Sequence, residues 1–505
     1  MSKCTALKRF PPIIQMEKLE TLILYKCREL QQQFLDIQSN KSLPNLKILD
    51  LRSSKNLIKT PDFEGLPCLE RLLLFECESL EEIHPSIGHH KRLVFVNMSW
   101  CKRLKRFPPI IHMKKLETLD LSFCFELQHF PDIQSNMDSL VTLDLCLTGI
   151  EIIPPSVGRF CTNLVSFRLD RCEKLKRIEG NFHLLKSLKV LNLYGCMGLQ
   201  SFHQDWLVSL NLPQFPRSLR KLNLSNCNLG DGDIPSDIFC ESLNLQLLDL
   251  SYNNFSRLHS SISQLPGLKL LNLSDCINLV ELPDLPSSIA ILYVDGCDSL
   301  EIVRDLSDYK WLWKVSLLEV VKLNKRVLLS MLEENAVKED RFMSVLLPAL
   351  EPSSIYTKLV TLQLPHNWYS DFSGFLLSLR ALHGMYRIVI KQEISTDHPE
   401  KSGEDWERYD YERVGYVPFS SLRHIPWFNP TYTQNISFQA TVKYDDTEKI
   451  GLNVELVRRK SRIGDSTEHP IDYSECWGEE YEDYKTFKIT YDSQSSEIHI
   501  SWEHW

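Results

Sequence analysis

The sequence of 505 residues contains no run of eighteen apolar residues, so it predicts no transmembrane helix. Residues 1–20 contain no uninterrupted apolar segment followed by a small-residue cleavage site, and we therefore expect no secretory signal. Positive charge is also scarce, because 57 Lys and Arg residues are outnumbered by 66 Asp and Glu residues. Surfaces that bind nucleic acid are basic, so this composition predicts neither a nucleic-acid nor a membrane partner.

Motifs of catalysis and of metal binding are missing as well. The chain contains no P-loop G-x-x-x-x-G-K-[ST], no nucleophile elbow and no H-E-x-x-H. Its 15 cysteines do not form the close C-x₂₋₄-C pairs that zinc sites use. The adjacent His89 and His90 are expected to be a surface pair in a loop. We therefore predict no catalytic residue, no metal and no cofactor.

A near-duplication is the first positive feature. LKRFPPIIQMEKLETL at residues 7–22 recurs as LKRFPPIIHMKKLETL at residues 104–119, with two substitutions. A copied block of this length is tolerated where a fold is modular. The block contains a shorter unit, L-x-x-L-x-L-x-x-C, whose copies mostly start 23 or 24 residues apart. Twelve copies start at Leu19, Leu46, Leu69, Leu93, Leu116, Leu140, Leu164, Leu188, Leu219, Leu245, Leu268 and Ile289.

This unit is the leucine-rich-repeat signature, and its L-x-L centre alternates as a strand with one buried face does. The Leu side chains should point into a solenoid, and the final Cys or Asn should turn inward and bond to a neighbouring coil. A second phrase, L-x-x-F/I-P, predicts a short irregular or 3₁₀ segment on the convex side, as at residues 104–108. The sequence thus predicts an α/β leucine-rich-repeat solenoid over residues 1–303, a horseshoe with a parallel β-sheet on its concave face. It comprises the twelve repeats, and its first coil is incomplete.

Nine of the cysteines occupy the last position of a repeat. A metal cluster and a disulfide ladder are alternatives to a buried column of free thiols, but the missing close pairs favour free thiols, which pack as small hydrophobes. Unpaired thiols favour a reducing compartment, so we predict a cytoplasmic or nucleo-cytoplasmic location. N-x-S sequences at Asn97, Asn223 and Asn272 lie in repeat strands and are not expected to carry glycans.

The repeat pattern is not recognised after residue 303. Residues 309–337 lack Gly and Pro and space their apolar residues as a helix does, so residues 304–345 are predicted to form a helical segment that caps and connects the solenoid. A membrane or partner helix is the alternative for this segment. From residue 359, strand-like runs alternate with acidic loops. They predict a mainly antiparallel β-sandwich over residues 346–505.

Six stretches carry more specific motifs: residues 226–239, 248–276 and 279–297 in the repeats, and residues 364–379, 416–422 and 436–457 in the tail. They resemble plant intracellular immune receptors of the TIR–nucleotide-binding–leucine-rich-repeat class. The tail resembles the jelly-roll or Ig-like domain that follows the repeats in that class, although its G-x-x-I-P-x-W-F phrase is altered near residues 346–356. The TIR and P-loop patterns of the class do not occur in this sequence, so the resemblance implies the C-terminal sensor portion of such a receptor.

The resemblance implies a ligand-sensing module that binds a pathogen effector or a guarded host protein in defence signalling. Nucleotide-binding and TIR domains would then act with it in cis or in trans. The alternatives are a stand-alone repeat scaffold, decoy or regulator without signalling output, and, least favoured, an enzyme in the C-terminal domain. Aromatic and Arg side chains commonly anchor interfaces. The candidates on the concave face are Phe75, Phe95, Trp100, Phe123, Arg168, Arg171, Tyr194 and Tyr252.

Overall fold

The computed structural model describes most of the repeats and the strands of the C-terminal part. Two compact units divide the chain: Met1–Leu279 with Pro283–Pro286, and Val280–Leu282 with Ser287–Trp505. The incomplete first coil predicted at residues 1–17 lies outside the described residues. The described residues are 18–26, 43–180, 182–199, 215–234, 239, 242–258, 260–320, 322–348, 359–365, 367–380, 386–392, 411–428, 435–442, 451–458 and 487–502.

The first unit is a solenoid whose coils each contribute a three-residue strand to one parallel sheet. We number the nine residues of L-x-x-L-x-L-x-x-C from 1 to 9. The strands follow chain order, and residues at positions 3, 4 and 5 of one coil pair with residues at the same positions of the next coil. The sheet strands are β1 (Thr21–Ile23), β2 (Ile48–Asp50), β3 (Arg71–Leu73), β4 (Phe95–Asn97), β5 (Thr118–Asp120), β6 (Thr142–Asp144), β8 (Ser166–Arg168), β10 (Val190–Asn192), β11 (Lys221–Asn223), β12 (Leu247–Asp249) and β13 (Leu270–Asn272). A separate parallel pair is formed by β7 (Ile152–Ile153) and β9 (Arg177–Ile178).

The spacing of leucines explains the sheet. In the β5 coil, Leu116, Leu119 and Leu121 are completely buried, whereas Thr118 and Asp120 remain partly exposed on the other face. Each buried Leu stabilises the stack by roughly 2 kcal/mol through removal of apolar surface from water. The predicted leucine-rich-repeat solenoid with a parallel sheet is therefore confirmed.

The return side of the coils contains less helix than the label α/β implies. Its described α-helix, α1 (Pro155–Phe160), has six residues, and 3₁₀ turns lie at Pro85–His89, Phe182–Leu184 and Ser260–Gln264. His90 ends the first of these turns, is buried, and bonds to the Leu66 carbonyl at 2.9 Å through Nε2. The expected surface pair is therefore wrong for His90, because the turn directs its ring into the solenoid.

In the described coils of the first unit, the side chain at the last repeat position is buried and donates a hydrogen bond to a backbone carbonyl. The thiol of Cys101 donates to the Leu74 carbonyl at 3.2 Å, and that of Cys124 donates to the Met98 carbonyl at 3.3 Å. Burial raises the pKa of the Cys77 thiol to about 12, so the group stays protonated at neutral pH and acts as a donor. All the cysteines in the described part of the chain are free. The inward orientation and the bond to a neighbouring coil, both expected from sequence, are confirmed.

This column gives the first testable prediction. Cys124→Ala should lower the free energy of unfolding by about 1 kcal/mol, because it removes core packing and a weak S–H hydrogen bond. Urea unfolding followed by circular dichroism measures the change. Cys68→Ala is the control, since Cys68 is only half-buried, and it should change stability by less than about 0.5 kcal/mol. A stoichiometric amount of zinc in the purified protein would contradict the thiol column.

The second unit begins with further parallel strands, so the predicted end of the repeats at residue 303 is wrong. The strands are β14 (Ile291–Tyr293), β15 (Lys314–Ser316) and β16 (Met343–Pro348). The sequence LWKVSLLEV at residues 312–320 is another repeat, in which Val replaces the final Cys and the residues Leu312, Val315, Leu317 and Val320 are buried.

The predicted helical segment is correspondingly shorter. Apolar residues that are three apart fit both a repeat strand with its turn and one face of a helix, so the spacing over residues 309–324 does not distinguish the two structures. Helix α2 (Lys325–Lys338) begins after Asn324, whose side chain accepts a hydrogen bond from the Val327 amide at 3.4 Å. The structure therefore has one 14-residue helix here in place of the predicted helical segment over residues 304–345.

The remainder of the second unit is antiparallel. Strand β16 pairs with β20 (Tyr411–Pro418), and β18 (Phe372–Arg380) lies between β20 and β22 (Gly451–Arg458). A second sheet has the order β17-β21-β19-β24-β23. These strands are β17 (Leu359–Gln363), β19 (Tyr386–Gln392), β21 (Asn435–Val442), β23 (Phe487–Asp492) and β24 (Glu497–Trp502).

Both antiparallel sheets contribute side chains to one buried cluster. It includes Phe375, Phe438 and Ile500, with Trp368 from the short helix α3 (Trp368–Asp371) and Phe419 from the 3₁₀ turn Phe419–Leu422. The Trp368 and Phe419 rings meet edge to face at 4.9 Å. The antiparallel pairing agrees with the sequence pattern, while the assignment of this region as a jelly-roll or Ig-like sandwich stays a prediction.

Candidate functional site

The buried leucines point away from one face of the sheet in the first unit, which is the face predicted above to be concave. We call it the outer face, and side chains at repeat positions 3, 5, 7 and 8 form it. Position 5 is usually Asp or Asn, and its side-chain oxygen caps the end of the strand. Asp120 Oδ1 accepts hydrogen bonds from the Ser122 amide at 3.0 Å and from its hydroxyl at 2.7 Å. Asn97 makes the same pair of contacts with Ser99. The N-x-S sequences in the strands are therefore structural caps.

Position 8 has a left-handed backbone in every described coil of this unit. The turn aims its amide at the next coil, as when the Phe123 amide donates to the Cys146 carbonyl at 2.7 Å. A left-handed L-residue costs roughly 1–2 kcal/mol, which Gly avoids and Asn or Asp tolerates best. The residues, with φ between 53° and 71°, are Lys26, Ser53, Glu76, Trp100, Phe123, Leu147, Arg171, Gly195, Asn226, Tyr252 and Asp275.

Four consecutive coils place large side chains at this strained position: Trp100, Phe123, Leu147 and Arg171. The Trp100 and Phe123 rings stack at 4.2 Å with an interplanar angle of 9°. Phe125, which is 44% exposed, meets the Phe123 ring edge to face at 6.3 Å. The guanidinium of Arg171 lies 5.4 Å from the centre of the Tyr194 ring. The four coils thus present an aromatic end and a cationic end on one surface.

A cleft of ≈ 320 Å³ opens between these two ends. Phe123 lines it on one side, Leu147 lines its middle, and Arg171 and Tyr194 line the other side. We call this depression the outer-face cleft. Its polar lining residues are Ser122, Asp144, Cys146, Arg168 and Asp170.

The polar lining is organised around Arg168. In the coils from β4 to β13, position 5 is Asp or Asn except in the β8 coil, where it is Arg168. Its guanidinium donates to Asp144 at 3.1 Å and to both oxygens of Asp170, at 3.2 and 3.1 Å. Asp170 Oδ2 also accepts from the Cys146 thiol at 2.8 Å, and Oδ1 accepts from Asn192 at 3.2 Å. This network fixes the Arg168 side chain between two coils.

Burial and neighbouring charge both act on the carboxylates of the cleft. Burial raises the pKa of Asp144, and the adjacent Asp120 and Asp170 carboxylates raise it further. The Cys146 amide and Arg168 oppose this by stabilising the charged form. A hydrogen bond with Tyr194 raises the pKa of Arg171, so the guanidinium remains charged. The cleft therefore offers ionic groups of both signs beside aromatic walls.

The structure brings together five of the eight side chains proposed from sequence. Phe123, Arg168, Arg171 and Tyr194 line the cleft, and Trp100 stacks on its wall. The other three lie elsewhere on the outer face. Phe95 packs under the Arg71 guanidinium at 4.3 Å, Phe75 is partly buried in the β3 coil, and Tyr252 is 57% exposed beside Asp275.

Sequence reasoning missed Asp144, Cys146 and Leu147 as parts of this site. Two signals point to the region. The first is the β8 coil, which has Arg168 at position 5 and Asp170 at position 7. In a coil such as that of β5, the acid is at position 5 and accepts hydrogen bonds from the residue at position 7. The other is the run of bulky residues at position 8, whose left-handed backbone follows from the turn and is not apparent from composition.

The sequence comparisons agree with this repeat geometry. Residues 112–317 match the family described as "Disease resistance protein RPS4B-like, leucine-rich repeats". This stretch of the chain is therefore similar to the leucine-rich repeats of plant disease resistance proteins. The cleft lies within the matched residues of this domain, since Phe123 and Tyr194 form its two ends.

Curated plant proteins align with about half of the chain. TMV resistance protein N of Nicotiana glutinosa is 32% identical over 308 residues, which cover 53% of this chain and 27% of the relative. Disease resistance protein RPP4 of Arabidopsis thaliana is 34% identical over 279 residues, which cover 54% of this chain and 19% of the relative. The chain therefore spans about a quarter or less of the length of these relatives.

Solved leucine-rich-repeat structures are similar at lower identity. A functional domain of InlJ from Listeria monocytogenes, described as including a cysteine ladder, is 15% identical with a TM-score of 0.40, covering 70% of this chain and 78% of that chain. The repeat domain of the effector XopL is 21% identical with a TM-score of 0.31, covering 50% of this chain and 77% of that chain.

Among the described helices of our protein, none combines the length and hydropathy needed to span a membrane.

Proposed function

We propose that this chain is the ligand-sensing part of a plant disease resistance receptor, and that the outer-face cleft with the Trp100–Phe123 stack is its protein-binding centre. The observation that carries the proposal is the convergence of aromatic and Arg side chains on one cleft. Trp, Tyr and Arg are the residue types that most often dominate binding energy at protein interfaces. The relatives are named as disease resistance proteins, which supports recognition of a pathogen effector or a guarded host protein.

Backbone strain supports the same location. Trp100, Phe123, Leu147 and Arg171 occupy a left-handed position that Gly195 and Asn226 fill in other coils without this cost. Strained residues persist where the surrounding structure holds them and often mark functional sites. Lys26, Glu76 and Tyr252 accept the same cost in other coils, so the four side chains of the cleft are distinguished by being bulky and adjacent, which favours contact with a partner.

Binding is favoured over catalysis for the repeat region. Among the described residues no group of three or more His, Cys, Asp or Glu is arranged to hold a metal ion. The acids of the cleft accept hydrogen bonds from Arg168 and from the strand-capping amides, and this arrangement fixes geometry and does not prepare a nucleophile.

We propose a cytoplasmic or nucleo-cytoplasmic module that acts with nucleotide-binding and TIR domains in cis or in trans. A scaffold or decoy without signalling output would use the same surface.

A co-expression screen against effectors of plant pathogens tests this function. Trp100→Ala and Tyr194→Ala should each weaken binding of a recovered effector by about 2 kcal/mol or more, measured by calorimetric titration. Lys176→Ala is the matched control, because Lys176 lies on the return side, where it pairs with Glu151 at 2.8 Å. An effector whose affinity is unchanged by both aromatic substitutions would show that this face is not the binding centre.

A further inference from the structure

The Asp120 carboxylate lies beside the aromatic end of the outer-face cleft, where it accepts hydrogen bonds from the lining residue Ser122. Its hydrogen-bond donors among the described residues are neutral groups. Its Oδ1 accepts from Ser122, and its Oδ2 accepts from Asn97 Nδ2 at 2.9 Å. Within the described part of the chain it has no ion pair. The neighbouring Asp144 shares Arg168 with Asp170, so one guanidinium serves two carboxylates. Asp120 is therefore a carboxylate without a cationic partner among the described residues at this end of the cleft.

The Arg171 guanidinium lies at the opposite end, and its partner is also uncharged. It lies against the Tyr194 ring and forms no ion pair among the described residues. Asp120 belongs to the β5 coil and Arg171 to the β8 coil, with the β6 coil between them. Adjacent strands are about 4.8 Å apart, so two steps separate the two coils by about 10 Å across the sheet. Arg171 also lies three repeat positions further along its coil than Asp120 does.

Apolar surface lies between the two charges. Phe123 contacts Trp100 with one ring face, and it also lines the cleft together with Leu147. An apolar side chain of a partner would bury this surface, and aromatic and aliphatic groups in such pockets form the usual centre of an interface. Because charged groups at an interface fix orientation as well as partner choice, the order negative, apolar, positive defines a direction.

We propose that the outer-face cleft binds a protein segment that presents a Lys or Arg over Asp120, an apolar side chain over Leu147, and an Asp or Glu over Arg171. Across the sheet, the basic and acidic groups of this segment are about 10 Å apart, a spacing that a helix provides on one face at i and i+7. This inference rests on the proposed function and adds the chemistry and direction of the partner.

Two substitutions remove the charges while copying other coils of the same solenoid. Asp120→Asn keeps the strand cap, because Asn97 and Asn223 make that cap in their own coils. Arg171→Asn places at position 8 the residue that the β11 coil has there, Asn226. Loss of binding in either variant then reports on charge and not on a disturbed coil.

The experiment selects peptides from a phage-displayed library of random twelve-residue sequences against the full chain. Affinities of the recovered peptides are then measured by fluorescence anisotropy for the wild type, Asp120→Asn, Arg171→Asn and the control Lys176→Ala. We expect each charge-removing variant to weaken binding about tenfold. Neutralising the peptide's basic residue should abolish the effect of Asp120→Asn, and neutralising its acidic residue should abolish that of Arg171→Asn, as a double-mutant cycle requires.

The outcomes separate this inference from the proposed function. Peptides that require Phe123 but bind both charge-removing variants as well as the wild type would overturn the inference and leave the binding centre in place. Peptides that place an acid near Asp120 would overturn it as well. A library that yields no peptide dependent on Phe123 would count against both.

Discussion

Replacing Phe123 by Asn should weaken partner binding strongly while leaving the free energy of unfolding almost unchanged. Phe123 has φ 59°, and Asn226 occupies the same repeat position with φ 53°. Loss of the stack on Trp100 costs about 0.5–1.5 kcal/mol. Relief of the left-handed backbone returns roughly 1 kcal/mol. Because these two terms nearly cancel, stability should change little.

The effect on binding should be much larger. A buried aromatic anchor contributes about 2 kcal/mol or more, so affinity for an effector or a selected peptide should fall about thirtyfold. Urea unfolding and calorimetric titration measure the two quantities on the same preparation. Lys26→Asn is the control, because it makes the change to Asn at the same repeat position in the β1 coil, away from the cleft. Parallel losses of stability and binding in Phe123→Asn would show a structural role for the ring.

Asn253→Ala should cause the largest loss of stability among these changes, about 3 kcal/mol or more. Asn253 is buried, and its Oδ1 accepts hydrogen bonds from the amides of Cys227 and Leu229, both at 3.1 Å. Its Nδ2 donates to the Leu224 carbonyl at 2.9 Å and the Leu250 carbonyl at 2.8 Å. Alanine leaves these buried groups without partners, and each unsatisfied group costs about 1–3 kcal/mol.

The neighbouring residue provides a matched control for this substitution. Asn254 is exposed, and its amide donates to Asn228 at 2.8 Å. Asn254→Ala should therefore change the free energy of unfolding by less than about 0.5 kcal/mol. Equal urea midpoints for the two variants would refute the assigned role of the inward-facing Asn253.

The sequence was sufficient to predict the repeats because each coil repeats one buried pattern. The leucines of the β5 coil and the inward Cys124 occupy the places that the motif requires. The same motif was missed at residues 312–320, because Val320 replaces the final Cys and the apolar spacing also fits a helix. Pattern recognition thus failed where one substitution removed the residue that distinguishes a repeat from a helix.

The candidate site was predictable only in part. Residue type and outward position were enough to single out Trp100, Phe123 and Tyr194. The placement of Trp100 and Phe123 depends on the left-handed turn at position 8, whose amide bonds to the next coil, whereas Tyr194 precedes that turn at position 7. The role of Asp144 depends on Arg168 reaching from its own coil to the preceding one, while Arg168 also pairs with Asp170 within its coil. The repeat motif does not specify these side-chain pairs, because position 5 is Asp or Asn in the neighbouring coils.

Hydroxyl-radical footprinting of the chain with and without a partner recovered by co-expression tests the central claim most directly. Oxidation measured by mass spectrometry reports the exposure of individual aromatic side chains. If the outer-face cleft is the binding centre, Trp100, Phe123 and Tyr194 should show the greatest protection in the complex. Unchanged oxidation of these three rings, with protection confined to the return side or to the second unit, would contradict the account.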